Sequence, residues 1–212
     1  MKRQVSLLRF LCLIIVGIAL ASCATPPPPP PPEPTAEDHF RSGMSYLNDG
    51  YYDAAISEFK AAISMNPAYK EAHYYLGQAY EKKGMDAQSE QAYKDAIRID
   101  PRYIQAHEAL GLLLYRLNRF PEAKAELEMA VNLNSVLPEI YTKLGEIYLT
   151  EKCCLKARNM FKKALEINSE FYPAKDGLKR AQRLCGRPPY HRPVKKLKKF
   201  QGGGKALSPE NF

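Results

Sequence analysis

A period of 34 residues constrains this chain more than any other feature. Gly43, Gly77, Gly111 and Gly145 recur at that interval, and so do Ala62, Ala96, Ala130 and Ala164. The same register aligns Tyr46, Tyr80, Leu114 and Tyr148; Ala55, Ser89, Ala123 and Ala157; and Phe59, Tyr93, Leu127 and Phe161. Self-similarity of this length marks stacked supersecondary units, none of which buries its apolar face without neighbours. Small residues at fixed places let two helices approach closely, and the aromatics fill the gaps between them. Gly50, Gly84 and Asn118 fall between the two helices of the first three units and are residue types that tolerate left-handed backbone; Lys152 breaks that column. The units run over 36–69, 70–103, 104–137 and 138–171. A closing segment, 172–185, reads as one more amphipathic helix with Ala174, Leu178, Ala181 and Leu184 on one face.

These columns resemble the tetratricopeptide repeat. Leu-Gly recurs early in the first helix (Leu76-Gly77, Leu110-Gly111, Leu144-Gly145), with a small residue and an aromatic in the second and Pro67 and Pro101 at the unit ends. Ser42 replaces Leu, and Ser135 and Ser169 stand where Pro is expected. The resemblance implies an all-α fold, a right-handed superhelix (α-solenoid) of four helical hairpins plus a C-terminal capping helix. It also implies a ligand surface on the concave face lined by first helices. The exposed columns of that face hold Phe40, Met44 and Leu47; Tyr74, Tyr75 and Gln78; Glu108, Leu112 and Tyr115; and Thr142 and Glu146. From these, Phe40, Met44, Tyr74, Gln78, Leu112 and Tyr115 are the partner-binding candidates. The basic-and-Asn clamp of family members that hold a terminal carboxylate is absent, because its register falls on Phe40, Met44, Tyr75, Gln105 and Ala109. A partner helix or apolar peptide fits better.

Ahead of the repeats, Lys2 and Arg3 precede the apolar run Leu11–Leu20, which has the length of a signal-peptide core rather than of a membrane span. It ends in Leu20-Ala21-Ser22-Cys23, which resembles the bacterial lipobox. The resemblance implies a lipoprotein signal peptide over 1–22 and an acylated Cys23 as mature N-terminus. Ala24 rather than Asp after the Cys points to the outer membrane of a Gram-negative cell, with the repeats facing the periplasm. Residues 23–35 form the tether: seven prolines from Pro26 to Pro32, then Glu33 and Pro34, can make neither helix nor sheet. In polyproline II geometry these nine residues span about 28 Å. Lipobox followed by consecutive repeats is similar to the pilotins of type IV pilus biogenesis. That implies a scaffold binding another envelope protein and assisting assembly of a pilus or secretion complex; the alternatives are an adaptor for peptidoglycan synthesis or remodelling enzymes, or a cargo-recruiting subunit of another enzyme.

Charge and chemistry narrow the remaining classes. Of the net +8, residues 1–9 carry +3 and residues 186–212 carry +6, which leaves residues 10–185 near neutrality and argues against nucleic-acid binding by the repeats. The tail, 186–212, reads as disordered with one basic cluster, Lys195-Lys196-Leu197-Lys198-Lys199, suited to anionic envelope components. His39, His73 and His107 occupy one column of successive units, about 10 Å apart, too far to share a metal ion. No carboxylate pair, Ser-His or Cys-His arrangement recurs at a motif spacing, so we expect neither enzyme activity nor a cofactor. With Cys12 removed and Cys23 acylated, three thiols remain. In the resembling superhelix the end of the capping helix approaches the start of the preceding second helix, which implies a disulfide from Cys185 to Cys153 or Cys154 in an oxidising periplasm. A zinc site from Cys153, Cys154, Cys185 and His191 is disfavoured because adjacent cysteines on a helix diverge.

Overall fold

The computed structural model describes residues 33–184 and Gly186. The expectations for Cys23, Cys185, the signal peptide, most of the tether and the basic tail lie outside the described residues. All described helices belong to the unit that begins at Thr35. They are α1 (Ala36–Asn48), α2 (Tyr52–Met65), α3 (Lys70–Lys82), α4 (Asp86–Ile99), α5 (Ile104–Arg116), α6 (Phe120–Asn132), α7 (Pro138–Thr150), α8 (Cys154–Ile167) and α9 (Tyr172–Leu184). Among the described residues there is no strand. The fold is an all-α tetratricopeptide-repeat solenoid: α1–α2, α3–α4, α5–α6 and α7–α8 are the four hairpins, and α9 closes the array.

Packing within each hairpin follows from the glycine column. A Cβ on Gly77 would lie 2.5 Å from Tyr93 Cε1, one on Gly43 would lie 2.7 Å from Phe59, and one on Gly145 would lie 2.8 Å from Phe161. The ring therefore occupies the space that a side chain would take, and the helices close on it. Phe59, Tyr93 and Phe161 are fully buried, as is the whole alanine column from Ala62 to Ala164. On α9 the buried residues are Ala174, Gly177 and Ala181, with Leu178 partly buried, and the expected face is corrected at its end: Leu184 is 75% exposed. Gly177 lies on the same Phe161 ring as Gly145, so one aromatic is held between α7 and α9.

The turn inside each hairpin has one geometry. The backbone N–H groups of Tyr51, Met85, Arg119 and Cys153 donate to Tyr46, Tyr80, Leu114 and Tyr148 at 2.8–3.0 Å, closing each first helix through a left-handed residue. That residue is Gly50, Gly84, Asn118 and Lys152, with φ of 81°, 73°, 59° and 59°. Lys152 departs from the column in type and not in conformation. Junctions between units use extended Asn66, Asp100 and Asn168, the first two followed by proline, which disfavours helix before it. The third junction differs. After α6 the chain passes through left-handed Asn134 (φ 65°), and Ser135 N–H donates to Ala130 O at 2.9 Å.

Charged side chains at fixed register tie successive units. Lys83 reaches back to Asp53, and Arg116 to Asp86 at 2.9 Å; Lys70 pairs with Asp100 at 2.6 Å and Arg119 with Glu90 at 2.5 Å. These half-exposed pairs contribute little individually and fix orientation collectively.

Candidate functional site: a groove between the second and third units

The first helices of units two and three line a groove of about 680 Å³. Tyr74 and Gln78 enter it from α3 and Leu112 from α5, as three of the partner-binding candidates require. Gln78 donates to the Tyr74 hydroxyl at 2.6 Å, and the Tyr74 ring meets Tyr103 edge-on with centroids 5.6 Å apart. Burial pushes the Tyr74 hydroxyl up to about 12, so it stays protonated and able to donate. Gln105, Glu108 and Leu137 complete the lining that the argument below uses.

The other three candidates lie elsewhere. Phe40 and Met44 pack against the core of the first hairpin, where Phe40 stands 4.9 Å from the Tyr69 ring and 5.7 Å from Tyr75. Tyr115 lines a separate cleft of about 340 Å³ with Phe120, Glu146, Arg180 and Leu184. Its hydroxyl donates to Glu146 at 2.7 Å, and Arg180 of α9 reaches the same carboxylate at 2.9 Å. Burial pushes the Glu146 carboxyl up, but Tyr115, Arg180 and Lys143 together hold it below the usual range. Two residues of one column expected to be exposed are not. Glu108 is 8% exposed and Thr142 is 1% exposed, the latter because its hydroxyl turns back to Pro138 O at 2.9 Å.

Glu108 stands in the column expected to be exposed but is not one of the six partner-binding candidates. The Ser135 hydroxyl donates to its Oε1 at 2.5 Å, and Tyr141 donates to the Ser135 carbonyl at 2.8 Å. Burial raises the Glu108 carboxyl above its ordinary value, with the Ser135 bond acting against that rise. At the rim, Tyr93 donates to Glu81 at 2.9 Å and Arg116 spans Glu81 at 3.3 Å and Asp86 at 2.9 Å. The signal for Glu108 was present: it is the one acid in a column otherwise holding Phe40, Tyr74 and Thr142.

The histidine column has a packing role. His73 and His107 each direct Nε2 to the carbonyl of the preceding proline, Pro67 and Pro101, at 3.1 Å, and His107 and His39 direct Nδ1 to Glu126 and Glu58 at 2.7 Å. Among the described residues no group of three or more His, Cys, Asp or Glu side chains converges to hold a metal ion. Of the adjacent cysteines, Cys154 is disulfide-bonded and Cys153 carries a free thiol. No described helix is long and apolar enough to cross a membrane.

Helical hairpins closed on glycine, with a groove between their first helices, are the architecture of the tetratricopeptide-repeat fold. The family model described as tetratricopeptide repeat matches residues 40–104. Solved structures extend the likeness over more of the chain. MamA is similar at 24% identity and a TM-score of 0.65, over 71% of this chain and 82% of its own. YrrB, described as a tetratricopeptide-repeat protein with an unusual peptide-binding site, matches at 19% identity and 0.64, over 71% and 77%. The pilF protein of Pseudomonas aeruginosa matches at 22% and 0.61, over 70% and 68%. No curated protein matches by sequence. Proteins of this fold are generally scaffolds for protein–protein interaction rather than enzymes.

Proposed function

We propose that this chain is an outer-membrane lipoprotein, acylated at Cys23, whose periplasmic repeats hold a segment of another envelope protein in the groove between units two and three. The groove carries the reading. Tyr74, Leu112 and Leu137 offer apolar surface beside the polar groups of Gln78 and Glu108, the mixture that fixes a bound segment in orientation as well as place. The lipobox supports the anchoring, and the order lipobox, polyproline, repeats supports a role in assembling a pilus or secretion complex. No catalytic step is assigned.

The test combines location and contact. Cys23→Ser removes the acylated atom, so labelled palmitate incorporation and outer-membrane fractionation should both be lost; retention of both rejects the anchor. A photocrosslinking residue at position 112 should capture one envelope protein, identified by mass spectrometry, and the adduct should fall at least about tenfold with Tyr74→Ala, in the range for a central anchor. A crosslinker at Gln182 on α9 is the control. Equal capture from both positions rejects the groove.

A further inference from the structure

Glu108 is a carboxyl that the fold does not require. The fifth residue of the first helix is Phe40, Tyr74, Glu108 and Thr142 in the four units, so aromatic and hydroxyl side chains serve the same packing position elsewhere. It is more than nine-tenths buried, yet among the described residues no Lys, Arg or His lies within ion-pair distance. Glu146, the other acid on this surface, shows what the fold provides when it buries a charge for its own purposes. It receives a Tyr, an Arg and a Lys. Glu108 receives one hydroxyl, on one oxygen, from a serine at the place where the repeat normally has proline.

A carboxylate accepts about four hydrogen bonds, and a buried one left short of partners is costly. One that lines a groove with an oxygen no described group engages is a place where a ligand can complete it. The surroundings favour a cation. Tyr74, Ala109, Leu112 and Leu137 give the groove apolar walls, and a segment seated on them would exclude water and strengthen any ion pair formed there. Of the basic residues lining the groove, Arg116 is already engaged by Glu81 and Asp86, and Lys82 is exposed.

We propose that Glu108 is the acceptor for a basic side chain of the bound segment: the partner is a protein segment that inserts one lysine or arginine between apolar residues. This rests on the groove being the binding surface. An ammonium or guanidinium at Glu108 leaves the Ser135 bond in place and completes the carboxylate. Apolar neighbours on the segment then cover Leu112 and Leu137.

The experiment selects phage-displayed random 12-residue peptides on the full chain, then measures consensus peptides by titration calorimetry on wild type, Glu108→Gln and Leu112→Ala. Glu108→Gln keeps an acceptor for Ser135, so the fold is preserved, and circular dichroism checks this. Wild type should enrich peptides with one Lys or Arg flanked by apolar residues. Replacing that residue by norleucine should weaken binding about tenfold to a hundredfold on wild type and hardly at all on Glu108→Gln, the range for a hydrogen bond to a charged group. Leu112→Ala should weaken both peptides alike. Peptides that need Leu112 and show no basic preference overturn this inference while leaving the groove in place; peptides indifferent to Leu112→Ala, or no enriched peptide, reject the groove as well. Deleting 187–212 should leave affinity unchanged. A gain of tenfold or more would make the chain's own basic tail the occupant and overturn the assignment to a separate partner.

Discussion

Lys152 adopts a backbone conformation that costs an L-residue with a long side chain roughly 1 kcal/mol or more, and it does so because the hairpin turn demands it. Lys152→Gly should therefore stabilise the protein by a few tenths to about 1 kcal/mol, the lower unfolded-state entropy of Lys setting the limit. Urea denaturation followed by far-ultraviolet circular dichroism reads the change; a loss of stability would mean that the Lys152 side chain contributes more than its strain. Glu108 offers a second test through pH. Its folded carboxyl holds the proton more tightly than an unfolded one, so protonation favours the fold. That contribution is complete below the ordinary value of 4.5 and is lost as pH climbs through the folded value. Glu108→Gln, which has nothing to lose, should gain on wild type as pH rises above 4.5, and a difference that stays constant through that rise would contradict the assigned burial.

At the scale of elements, α1 differs from its successors. Thr35 and Asp38 form a reciprocal capping box, with Asp38 N–H donating to Thr35 Oγ1 at 3.2 Å and Thr35 N–H to Asp38 Oδ2 at 3.0 Å. Helices α2 to α8 have no side-chain cap. Their starts are positioned by backbone bonds of the turn ahead of them, such as Tyr51 N–H to Tyr46 O and Tyr69 N–H to Asn66 O. Thr35→Ala should cost about 1 kcal/mol and fray α1, visible as faster amide exchange in its first turn. The four hairpins were readable beforehand, because the same local pattern is repeated four times, whereas the Thr35–Asp38 box occurs once and was not singled out, and the left-handed turns at Lys152 and Asn134 depart from the pattern. What was not readable depends on contacts across units. Phe40 is drawn into the aromatic cluster of Tyr69 and Tyr75, and Tyr115 is bound to Glu146, so neither joins Tyr74, Gln78 and Leu112. Ser135 stood out as a missing proline, but its bond to Glu108 spans 27 residues and no periodicity encodes it.

For the molecule as a whole, the open end of the array is protected by α9. Ala174 and Ala181 are fully buried, and Gly177 lies against the Phe161 ring. Truncation after Ile167 would strip that cover from Phe161 and Ala164. The truncated protein should melt at least several degrees lower and bind a hydrophobic dye, because a solenoid without its terminal cap exposes an interior face. An unchanged melting temperature would show that α9 is only appended.

Every helix packs chiefly on helices one or two places away in the chain. A load applied to the N-terminal side of such an array cannot be shared by the whole core, since among the described helices the packing joins near neighbours and not distant units. Each interface carries the full tension in turn, like links rather than a knot. Extension under force should then proceed in steps of one hairpin, each releasing about 110–120 Å of chain for a 34-residue unit, and the groove between units two and three would open only when a link adjoining it gives way. A protein held in that groove would in this way be released by tension as well as by dissociation.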